Sequence, residues 1–162
     1  MAVILVTGMS GTGKSTVLHE LAGRGYQVVD TDYGPWIEDL PLPDGTGTER
    51  QWREDLIDAL ITDHERTGTP LFLAGTVHNQ DTFYPRCAEV VLLTAALPVL
   101  LDRIATRATN PFGKTPEERA RIEADTAEIE PLLRPSATLV IDTDRPLDEV
   151  VDQLAALAGP AS

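Results

Sequence analysis

The chain has 162 residues, of which 42% are hydrophobic and 24% are charged, and its net charge is −13. This length suits a single domain with a sizeable core. So negative a chain disfavours nucleic acid as a partner, because phosphate backbones are repelled. Its longest apolar runs are too short or too interrupted to span a bilayer, so no membrane association is expected.

Cysteine usage and the N-terminal segment predict a cytoplasmic protein. Cys87 is the single cysteine, which excludes an internal disulfide and a cysteine metal site and fits a reducing compartment. The chain begins directly with a hydrophobic segment and lacks a basic leader, so no signal peptide is predicted. The three histidines (His19, His64 and His78) lack the spacing of a transition-metal site. The oligomeric state is left open.

The first half of the chain alternates between strand-like and helix-like segments. Residues 2–7, AVILVT, are a continuous apolar run typical of a strand buried on both faces. A helix is predicted over about residues 14–24 and a second strand over 26–30. Residues 32–48 are rich in proline and glycine, which predicts a loop with at most one helical turn near Trp36.

The second half continues the alternation. The apolar residues of the segment 49–66 fall at helical spacing, with charged residues between them. Strands separated by helices predict one parallel sheet covered on both faces. The remaining elements are, in chain order, a helix over 49–66, strands over 70–75 and 88–94, a helix over 97–107, a loop over 108–116, a helix over 116–130, a strand over 137–143 and a last helix. Asp144 is expected to cap this last helix, whose apolar face runs from Leu147 to Leu157.

A phosphate-binding loop joins the first strand to the first helix. Residues 8–15, GMSGTGKS, match the pattern G-x-x-x-x-G-K-[ST] at every fixed position. Lys14 would lie beside the β- and γ-phosphates, and Ser15 would offer its hydroxyl to Mg²⁺. The loop therefore predicts that ATP and Mg²⁺ bind here. The predicted nucleotide contacts are Gly8, Ser10, Gly11, Thr12, Gly13, Lys14, Ser15 and Thr16.

Nearly the whole chain resembles the small P-loop kinases, and among them shikimate kinase most closely. The sequence VVDTD at residues 28–32 carries this resemblance together with the phosphate loop, because shikimate kinases have Asp-Thr-Asp at the end of their second strand. The resemblance implies a three-layer α/β P-loop kinase fold in one domain covering residues 1–162. Its five-stranded parallel sheet would have the strand order 2-3-1-4-5.

The same resemblance implies a reaction, the transfer of the γ-phosphate of ATP to a hydroxyl group of a small molecule. In shikimate kinases the first aspartate of the motif lies near the metal and the second faces the acceptor. Carried over, Asp30 supports Mg²⁺ through water, and Asp32 orients or deprotonates the acceptor hydroxyl. The acceptor-binding segment is expected over about residues 31–66 and a lid over about 108–118.

Further residues around the two substrates follow from the resemblance. Arg53, in RQWRED, and Arg119, in EERARI, correspond to arginines that bind the acceptor. Arg107 and Pro146 correspond to residues on opposite faces of adenine. Lys114 is the predicted lid cation that neutralises charge during transfer. Arg103 is the weaker candidate for that role. It is equally expected to form a surface pair on its own helix with the neighbours of Asp102.

One segment departs from the shikimate kinase pattern. Where that family has a run of glycines after the third strand, residues 74–80 are AGTVHNQ, so only Gly75 remains. Gly75, Asn79 and Gln80 are predicted to contact the acceptor, since two amides can recognise hydroxyls or a base edge through paired hydrogen bonds. The alternative is that the amides cap a surface loop. The acceptor is left open as a metabolite, a nucleoside-like compound or a natural product.

Two other functions compete with this interpretation. A nucleoside monophosphate kinase shares the fold, but an acceptor phosphate does not need Asp32 to remove a proton. A nucleotide-dependent switch with slow hydrolysis would usually end an apolar strand beside the loop strand with aspartate, whereas PLFLAGT at residues 70–76 does not. Asp-Thr-Asp therefore favours an alcohol as the acceptor.

Overall fold

The computed structural model describes residues 2–9, 11–106 and 115–160. Seven strands and five α-helices lie in these ranges, together with two 3₁₀ helices. In chain order they are β1 Val3–Thr7, α1 Lys14–Gly23, β2 Gln27–Asp30, β3 Ile37–Pro41, β4 Thr48–Trp52, α2 Glu54–Thr67, β5 Leu71–Ala74, a 3₁₀ helix Gln80–Arg86, β6 Cys87–Thr94, α3 Leu97–Thr106, α4 Pro116–Leu133, a 3₁₀ helix Arg134–Ser136, β7 Leu139–Asp142 and α5 Leu147–Ala158.

Five strands form one parallel sheet in the order β2-β5-β1-β6-β7. Counted along the chain, these five strands have the order 2-3-1-4-5, which confirms the predicted fold class. β1 is central, with Leu5 opposite Leu73 on β5 and Val90 on β6. All five β1 residues are buried. Because the strands are parallel, the loops after β1, β2 and β5 meet at the carboxyl edge of the sheet.

The other two strands form an antiparallel hairpin, in which Ile37 lies opposite Trp52 and Glu38 opposite Gln51. The predicted loop over residues 32–48 is therefore wrong in part. The next helix begins at Glu54 instead of residue 49. The reason is that cross-strand pairing and the packing of Ile37 against the core favour extended backbone here. The proline and glycine content of a segment does not indicate this tertiary contribution.

Trp52 belongs to the core and not to a helix. It is 1% exposed, and its ring centroid lies 5.9 Å from that of Phe83. Its Nε1 donates to Thr31 Oγ1 at 3.0 Å. The side-chain amide of Asn79 accepts from the Trp52 backbone N–H at 2.8 Å and donates to the Trp52 carbonyl at 3.0 Å. These contacts attach the hairpin to the carboxyl edge of the sheet.

Two hydrophobic clusters form the core of the described residues. One includes β1 and β6 residues with α1 and α5, and the other includes Trp52, α2 and the 3₁₀ helix after β5. His64, on α2, is buried and its Nδ1 lies 2.7 Å from the Thr69 carbonyl oxygen, a contact between the end of α2 and the turn after it. None of the described helices combines the length and apolar composition needed to cross a membrane.

Gly75 follows β5 and lies directly against the Trp52 ring. A Cβ at this position would overlap Thr31 Oγ1 and would lie 3.0 Å from Trp52 Cζ2 and 3.1 Å from Nε1. Gly75→Ala is therefore expected to lower the free energy of unfolding by about 1–3 kcal/mol through overpacking, measured by chemical denaturation. The control is Gly23→Ala in α1, where nothing lies within 4 Å of an added Cβ, and stability should not fall there. Equal stability of the two variants would contradict this packing.

Candidate functional site

The phosphate loop lies between β1 and α1 at the carboxyl edge of the sheet. Gly8 and Gly11 have φ angles of 147° and 85°, which residues with side chains rarely adopt. A Cβ on Gly8 would lie 2.5 Å from the Leu93 carbonyl oxygen, and one on Gly11 would lie 3.0 Å from that of Leu100. The loop is thus packed closely against β6 and α3. It ends at the N-terminus of α1, where the helix dipole favours an anion.

Lys14 begins α1 and folds back over the loop. Its Nζ donates to the carbonyl oxygen of Gly8 and, at 3.3 Å, to that of Met9. Burial lowers the pKa of Lys14 from its ordinary value, while the carboxylates of Asp32 and Asp30 act in the opposite direction. The loop therefore encloses a partly buried cation with two carboxylates in electrostatic range. Phosphate oxygens can replace the two carbonyls as its partners.

Ser15 and Asp30 lie side by side next to Lys14. The Ser15 Oγ donates to Asp30 Oδ2 at 2.5 Å, and Asp30 Oδ1 accepts from the Asp32 N–H at 3.1 Å. A hydroxyl and a carboxylate are the hard oxygen ligands that Mg²⁺ prefers, and Mg²⁺ retains waters, so two protein groups suffice. In the described ranges no group of three or more His, Cys, Asp or Glu side chains could hold a metal. The donor set fits Mg²⁺ bound together with phosphates.

Thr76 ties the phosphate loop to the segment after β5, a role that sequence reasoning missed. Its Oγ1 donates to the Gly8 carbonyl at 2.7 Å and accepts from the Gly8 N–H at 3.2 Å. Thr7 Oγ1 lies 3.0 Å from the same oxygen, and Gln80 Nε2 donates to Thr7 at 3.1 Å. The available signal was a hydroxyl residue at the end of a strand predicted to neighbour β1.

The two amides predicted to contact the acceptor are engaged inside the protein. Gln80 is 2% exposed, its Oε1 accepts from the Val77 N–H at 2.9 Å, and its Nε2 donates to two hydroxyl oxygens. Asn79 binds the Trp52 backbone and donates to Glu54 at 3.0 Å. Both therefore hold neighbouring backbone within the fold, and the buried Gln80 differs from the alternative of an amide that caps a surface loop. Their direct contact with an acceptor stays a prediction that this geometry does not favour.

Arg53 lies where the β3–β4 hairpin joins α2. Arg53 is the N-cap residue of α2 and follows Trp52, whose ring donates to Thr31, the residue before Asp32. The Arg53 guanidinium lies 3.8 Å from Glu38 Oε2 on β3. Arg119 is exposed near the start of α4. The acceptor roles predicted for both arginines remain predictions.

Known proteins share this loop and this fold. A family model described as an AAA domain matches residues 4–129. The chain belongs to this family. A shikimate kinase of Halorhodospira halophila is 30% identical over 154 residues, which cover 86% of this chain and 83% of the relative. The structure of the shikimate kinase from Acinetobacter baumannii in complex with shikimate matches with a TM-score of 0.63 at 20% identity, covering 97% of this chain and 92% of that one.

These matches confirm the resemblance to P-loop kinases of the shikimate kinase type, and the fold is that of small-molecule kinases. A nucleotide-binding protein of Gluconacetobacter diazotrophicus is 32% identical over 143 residues, which cover 87% of this chain and 37% of the relative. The chain thus spans less than half the length of that curated relative.

In this AAA-domain protein a cavity of about 210 Å³ adjoins the phosphate loop. Its lining contains two arginines and no carboxylate, which favours a ligand with phosphate groups. Pro146, predicted to pack on adenine, lies in the chain between two lining residues. The residues that line the cavity are Thr12, Gly13, Thr16, Val17, Arg103, Thr143, Arg145, Leu147 and Val150.

The expected surface pairing of Arg103 with neighbours of Asp102 is wrong. Arg103 instead donates to the Gly11 carbonyl at 3.2 Å, to Thr143 Oγ1 at 2.8 Å and to the Thr143 carbonyl at 2.8 Å. It therefore joins α3, the phosphate loop and the end of β7. A helical pattern cannot reveal these partners, because they come from two other segments that only the fold brings beside α3.

Arg103→Met is expected to weaken ATP binding at least about tenfold. The methionine keeps much of the length but loses three charge-assisted hydrogen bonds, each of the kind worth about 1.5–3 kcal/mol. Isothermal titration with ATP measures the effect, alongside the melting temperature. The control is Arg121→Met, which removes an exposed arginine of α4 that lies 3.9 Å from Asp125. Unchanged ATP affinity in Arg103→Met would contradict the positioning of the loop by this residue.

Three predicted site residues (Ser10, Arg107 and Lys114) lie outside the described residues, as does most of the predicted lid over 108–118. The roles of these residues stay predictions.

Proposed function

We propose that this chain is an ATP-dependent kinase that transfers the γ-phosphate to a hydroxyl group of a small molecule. One observation carries the proposal. The exposed carboxylate of Asp32 lies in electrostatic range of Lys14, at the sheet edge where the phosphate loop begins. A hydroxyl acceptor must lose its proton as the new O–P bond forms, and a carboxylate at this place can accept it.

The proposed nucleotide site uses the phosphate loop. Its backbone N–H groups bind the phosphates, and the Lys14 ammonium neutralises charge that grows between the β- and γ-phosphates during transfer. Arg107 and Pro146 pack on adenine, and Lys114 is a second cation toward the transferred group. The proposed contacts within and beside the loop are Gly8, Ser10, Gly11, Thr12, Gly13, Lys14, Ser15 and Thr16.

Mg²⁺ would be held by Ser15 and, through water, by Asp30, and when bound it would neutralise phosphate charge. Asp30 also fixes the backbone of the catalytic segment, because it accepts the Asp32 N–H. On the acceptor side, Asp32 orients the hydroxyl and accepts its proton. Arg53, Gly75 and Arg119 stay proposed parts of the acceptor site.

A second candidate is a nucleotide-binding module that hydrolyses ATP slowly. It is favoured by the name of the Gluconacetobacter diazotrophicus relative, a nucleotide-binding protein. It differs from a kinase in one measurable way, since its ADP release does not depend on a small-molecule acceptor.

The test measures ADP release from ATP and Mg²⁺ with no acceptor, with metabolite pools and with nucleoside monophosphates, and identifies products by mass spectrometry. We expect release to rise with a hydroxyl compound and a phosphorylated product to appear. The control is Asp125→Asn, which changes a partly exposed side chain of α4. Equal slow release under all conditions would favour the module. Stimulation by monophosphates alone would favour a nucleoside monophosphate kinase.

A further inference from the structure

We propose that the acceptor is a non-anionic alcohol, such as a sugar, a polyol or an amino alcohol, and not a hydroxy acid or a phosphorylated compound. This inference rests on the proposed kinase function and deepens it. It is carried by the ion pairs of the β3–β4 hairpin and of the adjoining end of α2.

The arginine that the shikimate kinase resemblance assigns to the acceptor already has a carboxylate partner in the protein. Arg53 Nη1 lies 3.8 Å from Glu38 Oε2. The hairpin creates this pair, because Glu38 lies opposite Gln51, two residues before Arg53. An acid acceptor that bound Arg53 would place its carboxylate close to that of Glu38. Like charges placed together in this way oppose binding.

The other basic side chains of the same region are paired in a similar way. Arg50 Nε lies 4.0 Å from Asp39 Oδ1 across the hairpin. His78, on the loop after β5, has its Nδ1 3.6 Å from Glu49 Oε2. The backbone N–H of His78 donates to the Arg50 carbonyl at 3.0 Å, which attaches this loop to β4. Both hairpin arginines therefore have a carboxylate partner within 4.0 Å.

The two sides of the site differ in charge. Residues 30–54 carry seven carboxylates and two arginines, whereas the cavity beside the phosphate loop is lined by two arginines and no carboxylate. One exposed ion pair contributes little, but the summed field of such a region attracts or repels a charged ligand as it approaches. The nucleotide side therefore favours a triphosphate, and the hairpin side disfavours a second anion.

The test uses a metabolite extract separated by anion exchange into a retained, anionic fraction and an unretained, neutral and cationic fraction. The full chain receives ATP, Mg²⁺ and either fraction, and ADP release is measured with mass spectrometry of the products. We expect acceptor-dependent release to be at least tenfold greater with the unretained fraction. Greater release with the retained fraction would overturn the inference and leave the kinase function standing. If neither fraction stimulated ADP release, both this inference and the proposed kinase function would be overturned.

Glu38→Gln tests the role of the ion pair itself. Freeing Arg53 is expected to raise the activity ratio of the retained to the unretained fraction about threefold to fivefold, the size of an exposed pair interaction. The shift should shrink in high salt. The matched control is Glu65→Gln near the other end of α2, which removes a glutamate 3.5 Å from Arg86. An unchanged ratio in Glu38→Gln, or an equal shift in both variants, would overturn the inference.

Discussion

Replacing Asp32 with asparagine is expected to lower kcat by about 10²–10⁴-fold while ATP affinity changes little. Asparagine keeps the shape of the side chain and some hydrogen bonding, but it removes the negative charge and the basicity. An alcohol must lose its proton as the O–P bond forms, so the loss should fall on kcat. Steady-state turnover and isothermal titration with ATP measure the two effects separately.

Asp125→Asn is the matched control, because it makes the same chemical change at a partly exposed position of α4. It should leave kcat and ATP affinity unchanged. If the acceptor were a phosphate, Asp32 would only position it, and the loss in Asp32→Asn should be small. Normal ATP binding together with wild-type turnover in Asp32→Asn would contradict the proposed mechanism.

Lys14→Ala is expected to lower kcat at least about a hundredfold while the fold survives. The ammonium of Lys14 lies over the loop and donates hydrogen bonds to the carbonyl oxygens of Gly8 and Met9. During transfer it would neutralise charge that grows at the β–γ bridge oxygen, and alanine cannot replace that charge. Turnover is measured under saturating ATP, and the melting temperature shows whether the loop change has disturbed the fold.

The control for Lys14→Ala is Arg121→Ala, which removes an exposed cation of α4 and should leave turnover unchanged. A rate near that of the wild type in Lys14→Ala would mean that the loop is not the catalytic phosphate site. A large fall in melting temperature would instead assign the loss to unfolding, so both measurements are needed.

The hydrophobic pattern was enough to predict the central sheet. Segments such as VILVT and VVLLT are almost entirely apolar because both faces of their strands are buried, and the five-stranded order 2-3-1-4-5 is confirmed. The hairpin escaped prediction because nearly all its residues are exposed or half-buried, so burial leaves little periodicity in them. Its single strong anchor, Trp52, is equally compatible with the face of a helix.

The sequence alone determined the phosphate loop of this protein. Glycines, lysine and serine at fixed spacing after an apolar strand specify a local backbone conformation, and that conformation needs few distant partners. Only the tertiary structure decided what surrounds it. Arg103 binds Gly11 and Thr143, Thr76 binds Gly8, and Glu38 lies beside Arg53. The residues of each pair are distant in the chain. Which residues meet therefore depends on how helices and strands pack, and local propensity does not encode that packing.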